Sequence, residues 1–443
     1  MHAEEGADTG GYVGVAGALL DAVKARVGDL VEVRRPDGSA ADRGLLLPHH
    51  EFSGEDVVVL KLENGYNVGV AVTAADAVHV VTRAVPRVPP LREIPRTEGR
   101  PAVAVIGTGG TIASYVDYRT GAVHPALTAD ELAFSVPGLA DRYNLRAEAL
   151  FSVHSEDLFP HHWADIARAA ARHLEQGAAG VVVPHGTDTM GITAAGLSFM
   201  LGALSGPVVL VGSQRSSDRP SSDATENLEE ACLVATQDLG EVVVAMHAGT
   251  SDGAVAVHRG TRVRKMHTSA RWAFKSVNSE PIAIVSGTDV SWRGEHRARA
   301  PRTALDDRVE DRVVLLQVYP GFDPELVHHS ARRARGIVLA GTGLGHMGAH
   351  AFGAVREAVG RGVVVVITSQ CLYGATNMNI YSNGRDLLRQ GVVPLGDMLP
   401  ETAFAKLCCM LGRSQDPDEV RRMMLEPLAG EAVDRRAVGG EDR

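Results

Sequence analysis

The chain has 443 residues, of which 45% are hydrophobic and 22% charged, with a formal net charge of −10. That length calls for two or three domains able to bury large cores, and the balance is that of an ordinary globular protein rather than a disordered one. The acidic excess excludes a protein whose whole surface grips nucleic acid, but leaves room for a local basic patch or for a partner that does the gripping.

The opening Met-His-Ala-Glu-Glu has neither the basic nor the apolar region of a signal peptide. No apolar run approaches membrane-spanning length, so a cytoplasmic protein with no membrane partner is expected. Cys232, Cys371, Cys408 and Cys409 show no C-x-x-C spacing, which suggests free thiols in a reducing compartment and no metal site. Lysine occurs only at Lys24, Lys61, Lys265, Lys275 and Lys406, against a background of arginine. A lysine kept in such a chain hints that a titratable amine is wanted there.

In chain order, the first residues to about 15 are Gly- and acid-rich. Tyr12–Arg26 has helical spacing, and a β texture follows. Gly28–Arg34, Arg43–Leu47, Asp56–Leu62 and Tyr66–Val72 read as short strands, with turn signals at Pro36-Asp-Gly38 and Glu63-Asn-Gly65. Residues 1–83 therefore read as a small β-barrel, a module suited to contacts rather than chemistry. The Pro- and charge-rich residues 84–100 read as a linker.

From Pro101 the grammar becomes alternating strand and helix, as in a doubly wound parallel sheet. Val103–Ile106, Leu150–Val153, Gly180–Val183, Pro207–Val211 and Glu241–Met246 are strand runs, alternating with helical patterns at Thr128–Phe134, His162–Glu175 and Ser222–Thr236. Gly253–Val263 reads as a hairpin leading to Lys265. An Arg- and Asp-rich stretch near residue 300 marks a boundary. Beyond it, Val313–Val318, Gly336–Leu339 and Val363–Ile367 alternate with helical runs to form a smaller α/β lobe. The expected division is 101–298 for the large lobe, 299–420 for the small one and 421–443 for a charged tail.

Gly107–Ser114 lacks the Lys-Ser/Thr end of a P-loop, and Gly343–Gly348 fits G-x-G-x-x-G without the acidic residue expected further on, so neither supports a nucleotide site. The pairs His49-His50, His161-His162 and His328-His329 read as surface histidines, since adjacent side chains point apart. The pairing with chemical promise is between two strand exits. Thr111 follows the first strand of the sheet, in a loop of three glycines that lets a substrate approach the backbone. Thr187 and Asp188 follow the strand Gly180–Val183, where a helical pattern begins. Capping of that helix would account for them equally well. A threonine hydroxyl needs a base to take its proton, and a lysine made neutral by burial is one such base; Lys265 is the candidate, a solvated surface amine the alternative.

Thr108-Gly-Gly-Thr-Ile112, His185-Gly-Thr-Asp-Thr-Met190 and Lys265…Phe274-Lys-Ser276 resemble the signatures of L-asparaginases over about residues 101–420. With its front barrel, the chain resembles more closely the asparaginase-like D subunits of archaeal glutamyl-tRNA(Gln) amidotransferases. Asp56–Val70 and Cys371–Leu388 add to that likeness. The resemblance implies an asparaginase-like, two-lobed α/β body of parallel sheets preceded by the small barrel. It implies Thr111 as nucleophile on the side-chain amide of glutamine or asparagine. Thr187 would bridge, Asp188 orient and Lys265 accept the proton. Gly110, Tyr118 (with Tyr115 competing), Ser155 and Glu156 would bind substrate. Glu156 departs from the Gln usual in plain asparaginases, which leaves its role open. The chain itself would hold no cofactor. ATP and Mg belong to a tRNA-binding E subunit, which uses the ammonia to convert Glu-tRNA(Gln) to Gln-tRNA(Gln) within a dimer of heterodimers. A stand-alone cytosolic L-asparaginase is the alternative implied.

Overall fold

The computed structural model describes residues 11–49, 54–63, 66–83, 96–108, 114–117, 122–125, 136, 138–215 and 222–433. The helix expected at Thr128–Phe134 and most of the linker fall outside them. A helix, Gly14–Ala22, precedes five strands: β1 (Leu30–Arg34), β2 (Ala40–Leu46), β3 (Val57–Lys61), β4 (Asn67–Ala71) and β5 (Ala77–Thr82). They form one antiparallel, barrel-like sheet in the order β4-β3-β2-β1-β5. Alternation decides its faces: Val31 and Val33 are buried, while Leu30 and Glu32 between them are half-exposed. These valines pack with Leu20, Leu46, Val58 and Leu60 in a core of the module's own.

The large sheet contains β6 (Ala102–Gly107), β7 (Asn144–Ala149), β8 (Gly180–Pro184), β9 (Val208–Val211), β10 (Val242–His247) and β11 (Val255–Arg259). A ribbon of β12 (Val263–Lys265) and β13 (Phe274–Ser276) branches off before β14 (Ala283–Ser286) and β15 (Asp289–Trp292) close its far edge. The order is β15-β14-β11-β10-β9-β8-β6-β7, parallel from β7 to β10 and antiparallel beyond. The apolar runs of β6, β8, β9 and β10 are buried on both faces. Ala104, Val181, Val183, Val208 and Val244 enter one core, with helices Pro160–Glu175 and Met190–Met200. Val103, Val182, Val209 and Val243 enter the other, under helix Ala224–Ala235. Coverage of both faces is why these strands read as continuous apolar runs rather than alternating ones.

The chain leaves β6 for β7 on one side and returns to β8 on the other. The strand order reverses between β6 and β8, which opens a crevice at their C-terminal ends.

A second sheet, all parallel, has the order β16 (Val313–Gln317), β17 (Gly336–Gly341), β18 (Val364–Ser369) and β19 (Val393–Pro394). Helix Pro400–Arg413 packs between the lobes, its Leu407 and Cys408 sharing one core with Val338 and Val366 of this sheet and with Ala194 and Phe199 of the large lobe. Cys408 and Cys409 lie in that core. All four cysteines are free, and only Cys371 is exposed. No helix among the described residues is long and apolar enough to cross a membrane.

The stretch expected as a charged tail begins inside a helix, Pro417–Leu425, and its Glu431 is fully buried. Glu431 Oε1 lies 2.6 Å from Lys406 Nζ, which also donates to Met424 O and Glu426 O. Glu431→Ala is expected to lower stability by about 3–5 kcal/mol, because it strands a buried ammonium. Lys406→Met with Glu431→Leu should recover only part of that loss, because the Leu428 and Ala429 N–H groups then lose the carboxylate they donate to, and thermal denaturation of the single and double variants checks both.

Candidate active site

Pro184 ends β8 at the crevice, and Thr187 and Asp188 occupy the turn before helix Met190–Met200. Neither serves as a cap. The N-cap is Thr189, which makes no side-chain cap bond and instead donates through Oγ1 to Ser155 O at 2.7 Å. Thr187 and Asp188 are engaged by Lys265: its Nζ donates to Thr187 Oγ1 at 2.9 Å and to Asp188 Oδ1 at 2.8 Å. The Lys265 side chain is only 15% exposed, against 68% for Asp188. The amine is thus withdrawn from solvent while its carboxylate partner is not, and the surface-amine reading of Lys265 does not hold.

Lys265 reaches across from β12, and the start of that strand is fastened to the small lobe. Arg262, 1% exposed, forms an ion pair of 2.8 Å with Asp397 and donates to Gly430 O. Thr261 O accepts from Thr402, and Thr261 Oγ1 donates to Ala429 O. Both lobes and the C-terminal segment therefore hold the strand that carries the amine.

The turn borders a cavity of about 210 Å³, lined by Ser155, Glu156, His185, Thr187, Asp188 and Ser213 among others. Ser155 starts a 3-10 turn, and its Oγ is 3.4 Å from Glu156 Oε2. Gly186 lets Ser155 pack directly against the turn: a Cβ there would meet Ser155 Cβ at 2.8 Å and Oγ at 2.9 Å. A Cβ on Gly212 would likewise meet Thr187 Cγ2 at 2.8 Å. Burial pushes the His185 imidazole down to about 4. Its Nδ1–H donates to Gly186 O at 2.7 Å, leaving Nε2 a buried acceptor without a partner among the described residues. Ser213 Oγ is likewise buried and without a partner among the described residues. A pocket whose wall offers an acceptor and a hydroxyl suits a small, strongly hydrogen-bonding ligand such as a carboxamide.

Gly110, Thr111 and Tyr118 lie outside the described residues, and Tyr115 belongs to a strand, Ser114–Asp117. Thr108, the last described residue before that loop, is buried and donates to Pro184 O at 2.8 Å. The two strand exits are thereby tied together. Among the expected site residues, Ser155, Glu156, Thr187, Asp188 and Lys265 come together. His185 and Ser213 are pocket residues that the sequence reading does not single out. Their place at the exits of β8 and β9, the latter in the loop Gly212-Ser-Gln-Arg, is the signal that could have found them. For metal, the candidate cluster among the described residues is Glu226, His247 and Asp252.

Comparison with known proteins bears on this arrangement directly. Residues 102–298 match the model "Asparaginase, N-terminal", residues 312–424 the "Glutaminase/Asparaginase C-terminal domain" and residues 25–81 the "GatD N-terminal domain". The fold resembles the thermostable L-asparaginase from Thermococcus kodakarensis, with TM-score 0.69, 34% identity, and coverage of 75% of this chain and 100% of that one. L-asparaginase I from Vibrio cholerae gives TM-score 0.64 and 27% identity over 75% of this chain and 99% of that one. Fold and site thus define an amide hydrolase of the asparaginase type. Over 413 residues the chain is 50% identical to the D subunit of the glutamyl-tRNA(Gln) amidotransferase of Thermococcus kodakarensis, covering 91% of this chain and 94% of that one. The corresponding D subunit of Methanothermobacter thermautotrophicus is 45% identical over 435 residues, 96% of this chain and 98% of that one. The chain belongs to the family of glutamyl-tRNA(Gln) amidotransferase D subunits.

Proposed function

We propose that this chain hydrolyses the side-chain amide of glutamine or asparagine and delivers the ammonia to a tRNA-binding partner subunit, which amidates Glu-tRNA(Gln). The observation that carries the reading is the pair of hydrogen bonds from Lys265 to Thr187 and Asp188, two residues on the wall of the cavity. Thr111 is the nucleophile. It follows Thr108 by three residues in the sequence, and Thr108 is itself bonded to the β8 exit. The Thr111 hydroxyl attacks the amide carbon, and its proton passes through Thr187 Oγ1 toward Lys265. The C–N bond breaks as that proton is returned to the leaving nitrogen, ammonia departs, and water cleaves the remaining ester to the free acid and the Thr111 hydroxyl.

Asp188 holds the amine of Lys265 at Thr187. Ser155 takes the α-carboxylate end of the donor, Glu156 and Gly110 contribute to binding it, and Tyr118 (or Tyr115) closes over Thr111. ATP and Mg act at the partner, in the cytosol, within a dimer of heterodimers. A front module matching the GatD N-terminal domain favours the coupled subunit over a stand-alone asparaginase.

The test is ammonia release from Gln and from Asn by the purified chain, alone and then with the candidate partner, ATP and Glu-tRNA(Gln). We expect release to rise sharply in the complete mixture. Asparagine hydrolysis that is vigorous and indifferent to partner and tRNA would move the reading to a free asparaginase.

A further inference from the structure

We propose that Glu226, His247 and Asp252 form a site for a divalent transition-metal ion of the zinc class, outside the amide pocket and alongside it. Asn227 fixes the state of the histidine. Its Nδ2 donates to Gly212 O at 2.9 Å and to Asp223 Oδ2 at 3.0 Å, so its Oδ1 must face His247, whose Nδ1 is 2.7 Å away. An amide oxygen accepts, so Nδ1 carries the hydrogen. The other ring nitrogen, Nε2, is turned toward two carboxylates: Glu226 Oε2 at 3.0 Å and Asp252 Oδ1 at 3.7 Å.

His247 ends β10 and its side chain is wholly buried, so water does not reach Nε2. Among the described residues, Nε2 nevertheless makes no hydrogen bond of acceptable geometry. A bare nitrogen lone pair against two carboxylate oxygens is repulsive, so the spot calls for positive charge. A proton would supply charge through ion pairing, with Glu226 Oε2 at 3.0 Å the nearer carboxylate oxygen. A metal ion would supply charge and take a donor atom from each of the three residues, which lie within 4.8 Å of one another. Imidazole held at its far nitrogen by an amide oxygen is the usual support of a metal-bound histidine. One nitrogen and two oxygen donors suit zinc or its near neighbours, with a position left for water.

Arg271 competes with the ion, because its guanidinium bonds Asp252 as well as Thr250 O. It serves as the counter-charge of Asp252 in the metal-free chain and must be displaced, so the ion is exchangeable rather than locked in. Asp252 is 79% exposed, which provides an entry path. The consequence of binding runs inward. Asn227 bonds the carbonyl of Gly212, next to Ser213 in the pocket, and the Asp223 carboxylate accepts from the N–H groups of Gln214 and Arg215. An ion on His247 would stiffen the β9 exit that borders the amide pocket.

The test uses the full chain without an affinity tag, stripped with chelator and titrated with Zn²⁺ by calorimetry. One Zn²⁺ per chain is expected, with binding weakened roughly 10-fold or more in Glu226→Gln and in Asp252→Asn. Both altered side chains reach solvent, so folding should survive. X-ray absorption of the wild-type zinc complex reads the donors without any variant, and one nitrogen with oxygens is expected. No binding, binding equal in wild type and both variants, or a shell of several imidazoles would overturn the proposal. The last two outcomes would place the ion on the surface histidine pairs. None of these readouts depends on amide hydrolysis.

Discussion

Thr111→Ala is expected to abolish ammonia release from glutamine and asparagine, by on the order of 10⁴-fold or more, while leaving partner binding and the thermal midpoint unchanged. The magnitude follows from the role. Without an Oγ there is no ester, and only binding and electrostatic contributions remain. The prediction is sharp because the crevice offers a second threonine. Thr187 already has Lys265 Nζ on its hydroxyl at 2.9 Å, so on hydrogen bonding alone it could be taken for the activated nucleophile. The two are separated by where the covalent adduct forms. An electrophilic glutamine analogue should add its mass to the peptide that contains Thr111, and Thr187→Ala should slow that addition without moving it. An adduct on Thr187, or hydrolysis that survives Thr111→Ala, would reverse the assignment and require a new reading of the Gly107–Ser114 loop.

Lys265→Met should lower turnover by about 10²- to 10⁴-fold, the usual contribution of a positioned proton acceptor. Lys265→Arg should not restore it, although it keeps the charge, because a guanidinium does not give up its proton in a protein. Rescue by Arg would mean that the charge alone matters and that Lys265 only positions Thr187. Stability is the control. The partner carboxylate of Asp188 is 68% exposed and is solvated once the amine is gone, so the cost should stay within about 1 kcal/mol. The buried pair Lys406–Glu431 behaves oppositely, since neither group has water to fall back on. The two lysines thus separate a chemical role from a structural one.

Much of the architecture is legible in the sequence because strands buried on both faces leave an unmistakable apolar run. Gly180–Val183 appears as β8, and Val363–Ile367 appears one residue shifted as β18, Val364–Ser369. The strand expected at Leu150–Val153 instead occupies Asn144–Ala149. It lies at the edge of the sheet, only half-buried along its length, so its residues carry no pattern of burial on two faces. Helix Pro400–Arg413 leaves no clear mark in the sequence although ten of its residues are buried. Three of its residues, Glu401, Lys406 and Arg413, are charged, and the burial of Lys406 depends on Glu431 from the end of the chain, so the local pattern does not announce it.

The residue types at the strand exits and their resemblance to a family were determined by the sequence alone. Thr187, Asp188 and Lys265 all stand out in it, with capping and a solvated amine left open as other accounts. Only the tertiary structure decided between them. Lys265 stands 77 positions from Asp188, and no local rule brings a two-stranded ribbon back over a helix N-terminus. That contact depends on Arg262 being held by Asp397 and Gly430 from the far end of the chain. The His247 cluster has the same cause: Glu226 on a helix, His247 at the end of a strand and Asp252 on a loop share no spacing in sequence. Local propensity reports what each segment forms, whereas long-range packing sets which side chains of different segments meet.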